Sequence, residues 1–360
     1  MTSIEIRHNL FDNPEVSGTE YKTVELIIKK LQIYHPDILT SDIKDGHGVI
    51  AIFKGKKQGK NIAFRTDIDA LPSGHRCGHD GHTAILLQFA EYIVSGNRPE
   101  TGSIILIFQP EEETGNGAKK ILQSKVLQNL HVDYIFGLHN LPGYHLGNIL
   151  FKYGTFAAAS TGFIAKLEGK QAHAAYPENG INPAKAVADF ILALDSFKND
   201  DISNFKQITV IHVNIGEIAF GTAAGDANVM LTLRSFTNKG MSELINNVTS
   251  ELQQLANKYS LKVSYDFQDK FNALENDDVC VDIVKAAAKE LNMTTESLPE
   301  PMRWSEDFAD YCLKWHGGFF GIGSGENCKP LHNPEYNFPD ELIDIGAKMF
   351  LKIAEQAMVD

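Results

Sequence analysis

The sequence predicts an α/β domain interrupted by an inserted ferredoxin-like α+β domain. Before residue 156, short apolar runs alternate with helical patterns, and three of those runs end in residues able to bind a metal. Beyond Phe156-Ala157-Ala158-Ala159-Ser160 the order becomes strand, helix, strand, strand, helix, strand over about 110 residues. At 360 residues the chain is also long for one core, so about two domains are expected. The α/β domain is therefore placed at 1–156 and 267–360, and the insert at 157–266.

Each element has its own signal. From Glu20 to Tyr34, Val24, Ile27, Ile28 and Leu31 recur at helical spacing and predict an amphipathic helix. The Gly-bounded apolar runs Val49 to Phe53 and Asn61 to Phe64 predict strands. The second runs into Arg65-Thr66-Asp67-Ile68-Asp69-Ala70-Leu71-Pro72, which sets Asp67 and Asp69 at a strand's carboxyl end. His82 to Ile93 reads as a helix, Ser103 to Phe108 as a buried strand ending at Glu111-Glu112-Glu113, and Tyr134 to Leu138 as a strand ending at His139. In α/β sheets, sites form beyond the carboxyl ends of the strands, where all three deliver reactive side chains. In the insert, Thr161 to Glu168, Gln207 to Ile215, Asn228 to Phe236 and Leu261 to Phe267 read as strands, and Pro183 to Phe197 and Met241 to Tyr259 as helices.

Composition removes several classes of function. A net charge of -13 and a pI near 5.5 argue against nucleic acid or an anionic membrane as partner, since both select basic surfaces. No apolar run approaches the roughly 18 residues of a membrane span, and the first residues lack a signal-peptide layout, so a cytoplasmic location is expected. Four cysteines with no Cys-x-x-Cys pair do not make a disulfide framework; Cys280, Cys312 and Cys328 read as reduced, ordinary residues.

The chemistry concentrates in His75-Arg76-Cys77-Gly78-His79-Asp80-Gly81-His82, which holds a thiol, three imidazoles and a carboxylate. Zinc-type sites take sulfur, imidazole nitrogen and carboxylate oxygen, and Cys77 with His79 can share one ion on an irregular loop. Glu113, His139 and His332 add to the set, because each follows a predicted strand or lies in a Gly/Pro-rich turn. A glutamate run on its own is usually a solvated face. Here it ends an apolar strand, so adjacent Glu112 and Glu113 can divide roles, one binding metal and the other serving as general base. Paired ions can hold a bridging water and polarise a carbonyl together. Asp67, Asp69 and Asp80 are placed to orient ligand imidazoles from behind. His173, among small residues in Gly169-Lys170-Gln171-Ala172-His173-Ala174-Ala175, has an accessible ring suited to donate to a developing oxyanion. His8, His35, His47, His131, His145, His212 and His316 lack such context and read as structural. Gly321-Ile322-Gly323-Ser324-Gly325-Glu326 is followed by no helix and so fails as a dinucleotide loop.

Taken together, these motifs resemble the amidohydrolase branch of metallopeptidase family twenty, the aminoacylase-like enzymes that include hippurate hydrolases, auxin-conjugate hydrolases and N-acetyldiaminopimelate deacetylases. The match runs through Arg7-His8-Asn9-Leu10, Asn13-Pro14-Glu15, Asp67 to Pro72, Cys77 to His82 and Phe108-Gln109-Pro110-Glu111-Glu112-Glu113. It continues through Gly137-Leu138-His139, Gly169 to His173, Ser305-Glu306-Asp307-Phe308 and Leu331-His332-Asn333-Pro334. The resemblance implies a zinc-exopeptidase-like catalytic domain with a lid/dimerisation insert. It implies two divalent ions held by Cys77, His79, Glu113, His139 and His332, with Glu112 as base and His173 reaching the site of a homodimer partner. Zinc is expected from the thiolate, with manganese, cobalt or nickel as alternatives. The implied substrates are small N-acyl amino acids or peptides. A cysteine-nucleophile amidase using Cys77 and a non-catalytic ligand-binding homologue are the competing readings. The chain departs from the family in three places. The segment Ser73 to Arg76 before the Cys77 loop is short. Thr222-Ala223-Ala224-Gly225 replaces the usual Asn-Val-Ile-Pro turn, and Phe11 stands where a His is common.

Overall fold

The computed structural model describes residues 1–43 and 47–359 and divides into two compact units. Unit 1 comprises Met1–Phe156, Leu274–Pro299 and Asp307–Asp360; unit 2 comprises Ala157–Ala273 and Glu300–Glu306.

Unit 1 is built on an eight-stranded sheet in the order Ile38–Thr40, Val49–Lys54, Thr101–Gln109, Lys57–Asp67, Tyr134–Leu141, His316–Gly323, Ile149–Phe151 and Thr295–Ser297. Its centre is parallel: Lys57–Asp67 pairs with Thr101–Gln109 on one side and Tyr134–Leu141 on the other, and Tyr134–Leu141 pairs with His316–Gly323. Thr101–Gln109, Tyr134–Leu141 and His316–Gly323 are almost continuously buried, and so is Lys57–Asp67 from Ile62 onward, as a sheet covered on both faces requires. The rings of Phe64, Phe89, Phe136 and Phe350 meet in the core, joining the sheet to the helices His79–Val94 and Glu341–Met358. The opening helix, Ser3–Asp12, starts at a capping box in which Thr2 accepts the Glu5 N–H and Glu5 accepts the Thr2 N–H. No helix among the described residues is long and apolar enough to cross a membrane.

Unit 2 carries a four-stranded antiparallel sheet in the order Lys206–Ile215, Asp226–Ser235, Ala159–Glu168, Lys262–Phe271. Numbered along the chain these strands lie 2-3-1-4, with the helices Ala184–Ala193 and Asn238–Lys258 between them in sequence, a ferredoxin-like plan. Strict alternation drives the packing. In Asp226–Ser235, Ala227, Val229, Leu231 and Leu233 are buried, and they join Phe163, Phe190, Leu244, Val248 and Leu252 in one core. The last strand runs past Phe267, because Phe271 still pairs with Ser160 beyond an irregularity. The short segment Glu300–Glu306 belongs to this unit too: Ala158 donates its N–H to the carbonyls of Met302 and Trp304, and Arg234 donates to the Arg303 carbonyl and the Ser305 hydroxyl.

Candidate metal centre

In unit 1 the carboxyl ends of neighbouring strands gather the reactive residues. Asp67 and Gln109 end adjacent strands in register, and His139 lies near the end of Tyr134–Leu141. Beyond Gln109 the chain turns sharply through Pro110 and Glu111, the latter at φ 53°, into a single 3-10 turn over Glu112–Thr114. Gly117 lets this turn close on itself, since a Cβ there would sit 1.7 Å from the Pro110 carbonyl oxygen. Gly78 is needed for two reasons: it takes φ 98° at the start of the helix His79–Val94, and a Cβ would meet Asn140 Oδ1 at 2.5 Å. His332 adopts φ 66°, with its N–H donating to the Arg76 carbonyl at 2.8 Å. Glu111 and His332 are thus non-glycine residues held in left-handed backbone, a cost that tends to persist where the surroundings over-determine the geometry.

The side chains converge. Cys77, His79 and His139 each bring a potential ligand atom within 4.8 Å of the others, as do Cys77, Glu113 and His332, and also His79, Glu112 and Glu113. Cys77 Sγ lies 3.5 Å from His139 Nε2, and Glu113 Oε1 lies 3.9 Å from His79 Nε2 and 4.0 Å from His332 Nε2. Cys77, His79, Glu112 and His139 are buried, Glu113 is half-buried, and His332 is exposed at the rim.

The residues behind them fix which nitrogen faces inward. His139 Nδ1–H donates to the Asn140 carbonyl at 2.9 Å, which leaves Nε2 as the lone pair turned to Cys77. His79 Nδ1–H donates to the Asp69 carbonyl at 3.0 Å, with Asp69 Oδ1 at 3.3 Å, again freeing Nε2. Asp69 is itself held by the Ser17 hydroxyl at 2.6 Å and the Glu113 N–H at 3.1 Å. Asp67 accepts from His82 Nδ1 at 2.6 Å and lies 3.9 Å from His79 Nε2. Asp80 turns elsewhere: its Oδ2 accepts from Arg7 Nε at 3.0 Å and anchors the opening helix, and no imidazole is among its hydrogen-bond partners in the described residues. His173 belongs to unit 2. It lies on the two-residue strand Ala172–His173 paired with Thr222–Ala223, is exposed, and accepts the Ala175 N–H on Nδ1 at 3.0 Å.

Two contributors were not singled out in the sequence. His82 is fully buried, its Nε2 2.5 Å from Asn140 Oδ1, and so closes a chain from Asp67 to Asn140. Arg65, also fully buried, bonds Asp67. The His82 signal was available, three positions after His79 on one helical face. The Arg65 signal was not, because two of its partners, Gln109 and Asp307, lie 44 and 242 positions away.

The donor set fits divalent ions. His79 Nε2 and Glu113 Oε1 are buried with no hydrogen-bond partner among the described residues, and both point into the cluster. An orphaned imidazole lone pair facing an orphaned carboxylate oxygen is costly unless a cation lies between them. The electrostatics agree. Burial pushes the Glu113 carboxyl up to about 7 against the pull of His79, and pushes the Cys77 thiol well up. Burial, then His82, hold His139 well below its ordinary value. His79 is held well above its own, because Asp67 and Cys77 outweigh burial. A cation would offset the raised Glu113 and Cys77, find His139 already neutral, and displace the His79 proton.

Comparison with known proteins gives the same direction. Residues 63–356 match peptidase family M20/M25/M40. The chain is 31% identical to the N-acetyl-L-cysteine deacetylase of Bacillus subtilis, over 99% of this chain and 88% of that one. It is 30% identical to the hippurate hydrolase of Campylobacter jejuni, over 97% and 94% of the two chains. Among solved structures, the Bacillus subtilis YXEP protein, described as a dinuclear metal-binding peptidase from the M20 family, superposes with a TM-score of 0.85 at 26% identity, covering 99% of this chain and 98% of that one.

Proposed function

The chain belongs to peptidase family M20/M25/M40, and from that premise we propose that it is a dinuclear-metal amidohydrolase cleaving the amide bond of N-acyl amino acids or small peptides. One observation carries the reading: a single turn presents two glutamates, Glu113 joining the ligand group of Cys77 and His332 while its neighbour Glu112 flanks that group with a buried carboxylate.

Cys77, His79, Glu113, His139 and His332 would hold two divalent ions, zinc by the softness of the thiolate, with manganese, cobalt and nickel able to use the same donors. When bound, such ions supply Lewis acidity to the amide carbonyl and to water. Glu112 accepts a proton from the attacking water and then hands it to the amine nitrogen as the carbon–nitrogen bond breaks, leaving a carboxylic acid and a free amine. Asp69 and Asp67 hold the imidazoles so that the cluster keeps its shape while Glu112 cycles between its two states. In the metal-loaded protein, Glu112→Gln is expected to retain fold and metal content while kcat falls by roughly 100- to 10,000-fold. Near-normal turnover would remove Glu112 from the role.

His173 is assigned the oxyanion of a substrate bound to a second copy of the chain. Its exposed ring supports this, as does the edge strand Lys206–Ile215, whose Val210, Ile211 and Ile215 are exposed. Mixing Glu112→Gln subunits with His173→Ala subunits should then restore activity, since one mixed site keeps both residues. A mixture that stays inactive while heterodimers form would place His173 outside a shared site. The second reading, a cysteine-nucleophile amidase, is favoured by the 3.5 Å approach of Cys77 to His139. Chelation separates the two: only the metal-dependent reaction is lost to a chelator and recovered on adding metal back.

A further inference from the structure

Behind the candidate centre lies a buried ion network that metal ligation does not account for. The Arg65 guanidinium is fully buried, and each of its three nitrogens has a partner: Nη1 donates to Asp67 Oδ2 at 2.9 Å, Nε to Gln109 Oε1 at 2.8 Å, and Nη2 to Asp307 Oδ1 at 2.7 Å. Asp307 in turn grips the turn that bears the two glutamates from both sides. Its carboxylate accepts from Gln109 Nε2 at 2.8 and 2.9 Å, just before the turn, and from the Ala118 N–H at 2.9 Å, just after it. Its own N–H donates to Glu112 Oε1 at 3.4 Å. The other end of the network reaches the imidazoles, through the 2.6 Å contact of Asp67 with His82 and its approach to His79.

We propose that Arg65 and Asp307 are a positioning pair for the reaction, fixing the Glu112 carboxylate against the imidazole ligands by tying both ends of the 110–117 turn to Asp67. The inference rests on the reading of Glu112 as the base. Three features make the network more than packing. Carboxylates on either side of one guanidinium form a rigid fork that a lysine cannot reproduce. A fully buried charged group survives only if its partners are held in place, so the pair transmits position rather than merely occupying volume. A base displaced by a fraction of an ångström loses much of its effect even when substrate still binds, so the loss should fall on kcat.

The test uses the intact metal-loaded protein and two substitutions, Arg65→Lys and Asp307→Asn, each made alone and in a Glu112→Gln background. Expected are a fall in kcat of roughly ten- to a hundredfold, KM within about threefold, and the wild-type metal content by elemental analysis. In the Glu112→Gln background, where the base is already absent, the same substitutions should change kcat by less than about twofold. A fall under about threefold in the single variants, an equal fall in the Glu112→Gln background, or loss of metal would each overturn the pair's role. If Arg65→Lys does not yield folded protein, Asp307→Asn, which keeps the volume and the main-chain N–H, decides alone. Near-normal turnover by Glu112→Gln itself would instead refute the base assignment, an outcome distinct from failure of the pair.

Discussion

The two units bury different things. Unit 1 hides Arg65, Asp67, Asp69, His79, Asp80, His82, Glu112 and His139, each at most 6% exposed, in the same region as its reactive cluster. Unit 2 packs an alternating apolar sheet against two amphipathic helices, buries the hydroxyls of Ser160, Thr161 and Ser235 and only two charged side chains among the described residues, Lys206 and Glu306, and leaves its candidate functional residue, His173, exposed on a two-residue strand. In unit 1, folding and the proposed chemistry therefore draw on the same side chains, because a buried charge must be satisfied whether or not it reacts. In unit 2 they are separable: hydrophobic burial makes the fold, and the proposed role falls on one exposed residue of a two-residue strand.

That contrast can be broken in four ways. The largest effect is expected from Phe190→Ala, which empties a fully buried site in unit 2 and should cost about 3–5 kcal/mol in thermal unfolding, with metal content of folded protein unchanged. Metal loss in parallel with stability would show that the units are not separable. Cys77→Ser comes next. It should weaken metal binding by at least about a hundredfold in a competition titration and yield no acyl-enzyme by mass spectrometry. A trapped acyl group on wild-type Cys77 would favour the cysteine-nucleophile reading.

The third prediction reverses the usual sign of a buried-residue change. Glu20 is fully buried, its Oε1 accepts the Glu111 N–H at 3.0 Å, and Oε2 has no partner among the described residues. Burial, with Asp69 adding to it, pushes its carboxyl from the ordinary 4.5 up to about 7. A raised acid holds its proton more tightly in the native state, so the native protein is penalised progressively as pH rises from 4.5 to about 7, fully above that, and not at all well below 4.5. Glu20→Gln should gain about 1–3 kcal/mol over wild type at pH 8, with the gain shrinking as pH falls toward 5. A gain independent of pH would mean that the charge is not its source. The smallest effect is His173→Ala, which should move unfolding free energy by no more than about 0.5 kcal/mol while lowering kcat; a larger stability change would give His173 a structural role.

How much of this was readable depended on the range of the interaction. Asp226–Ser235 alternates cleanly, so a strand and its buried face were visible in residues 228 to 236. The run Cys77 to His82 and the strands ending near Asp67, Glu112 and His139 showed the candidate centre, because local spacing already gathers those donors. The Gly-rich strand His316–Gly323 did not read as one. Its glycines are required by close approach, since a Cβ at Gly317 would lie 2.3 Å from Cys312 Sγ and one at Gly321 2.3 Å from a Leu141 methyl. The helix Glu341–Met358 was diluted by Gly346, Ala347, Ala354 and Ala357, small residues on its buried face. Asp80 could be seen to be near the imidazoles but not to face Arg7, 73 positions away. The reach of Arg65 to Asp307, across 242 positions, leaves no local trace.

The segment Glu300–Glu306 has a consequence for modularity. An insert that left and re-entered its host once could be excised with two cuts and handled as a cassette. Here the second unit also claims a strip of chain from after Leu274–Pro299, stitched to it through Ala158 and Arg234. Removing residues 157–273 alone would strand that strip without its hydrogen-bond partners. A portable version of the second unit needs 157–273 joined to 300–306, and grafting it between relatives means transplanting both pieces together.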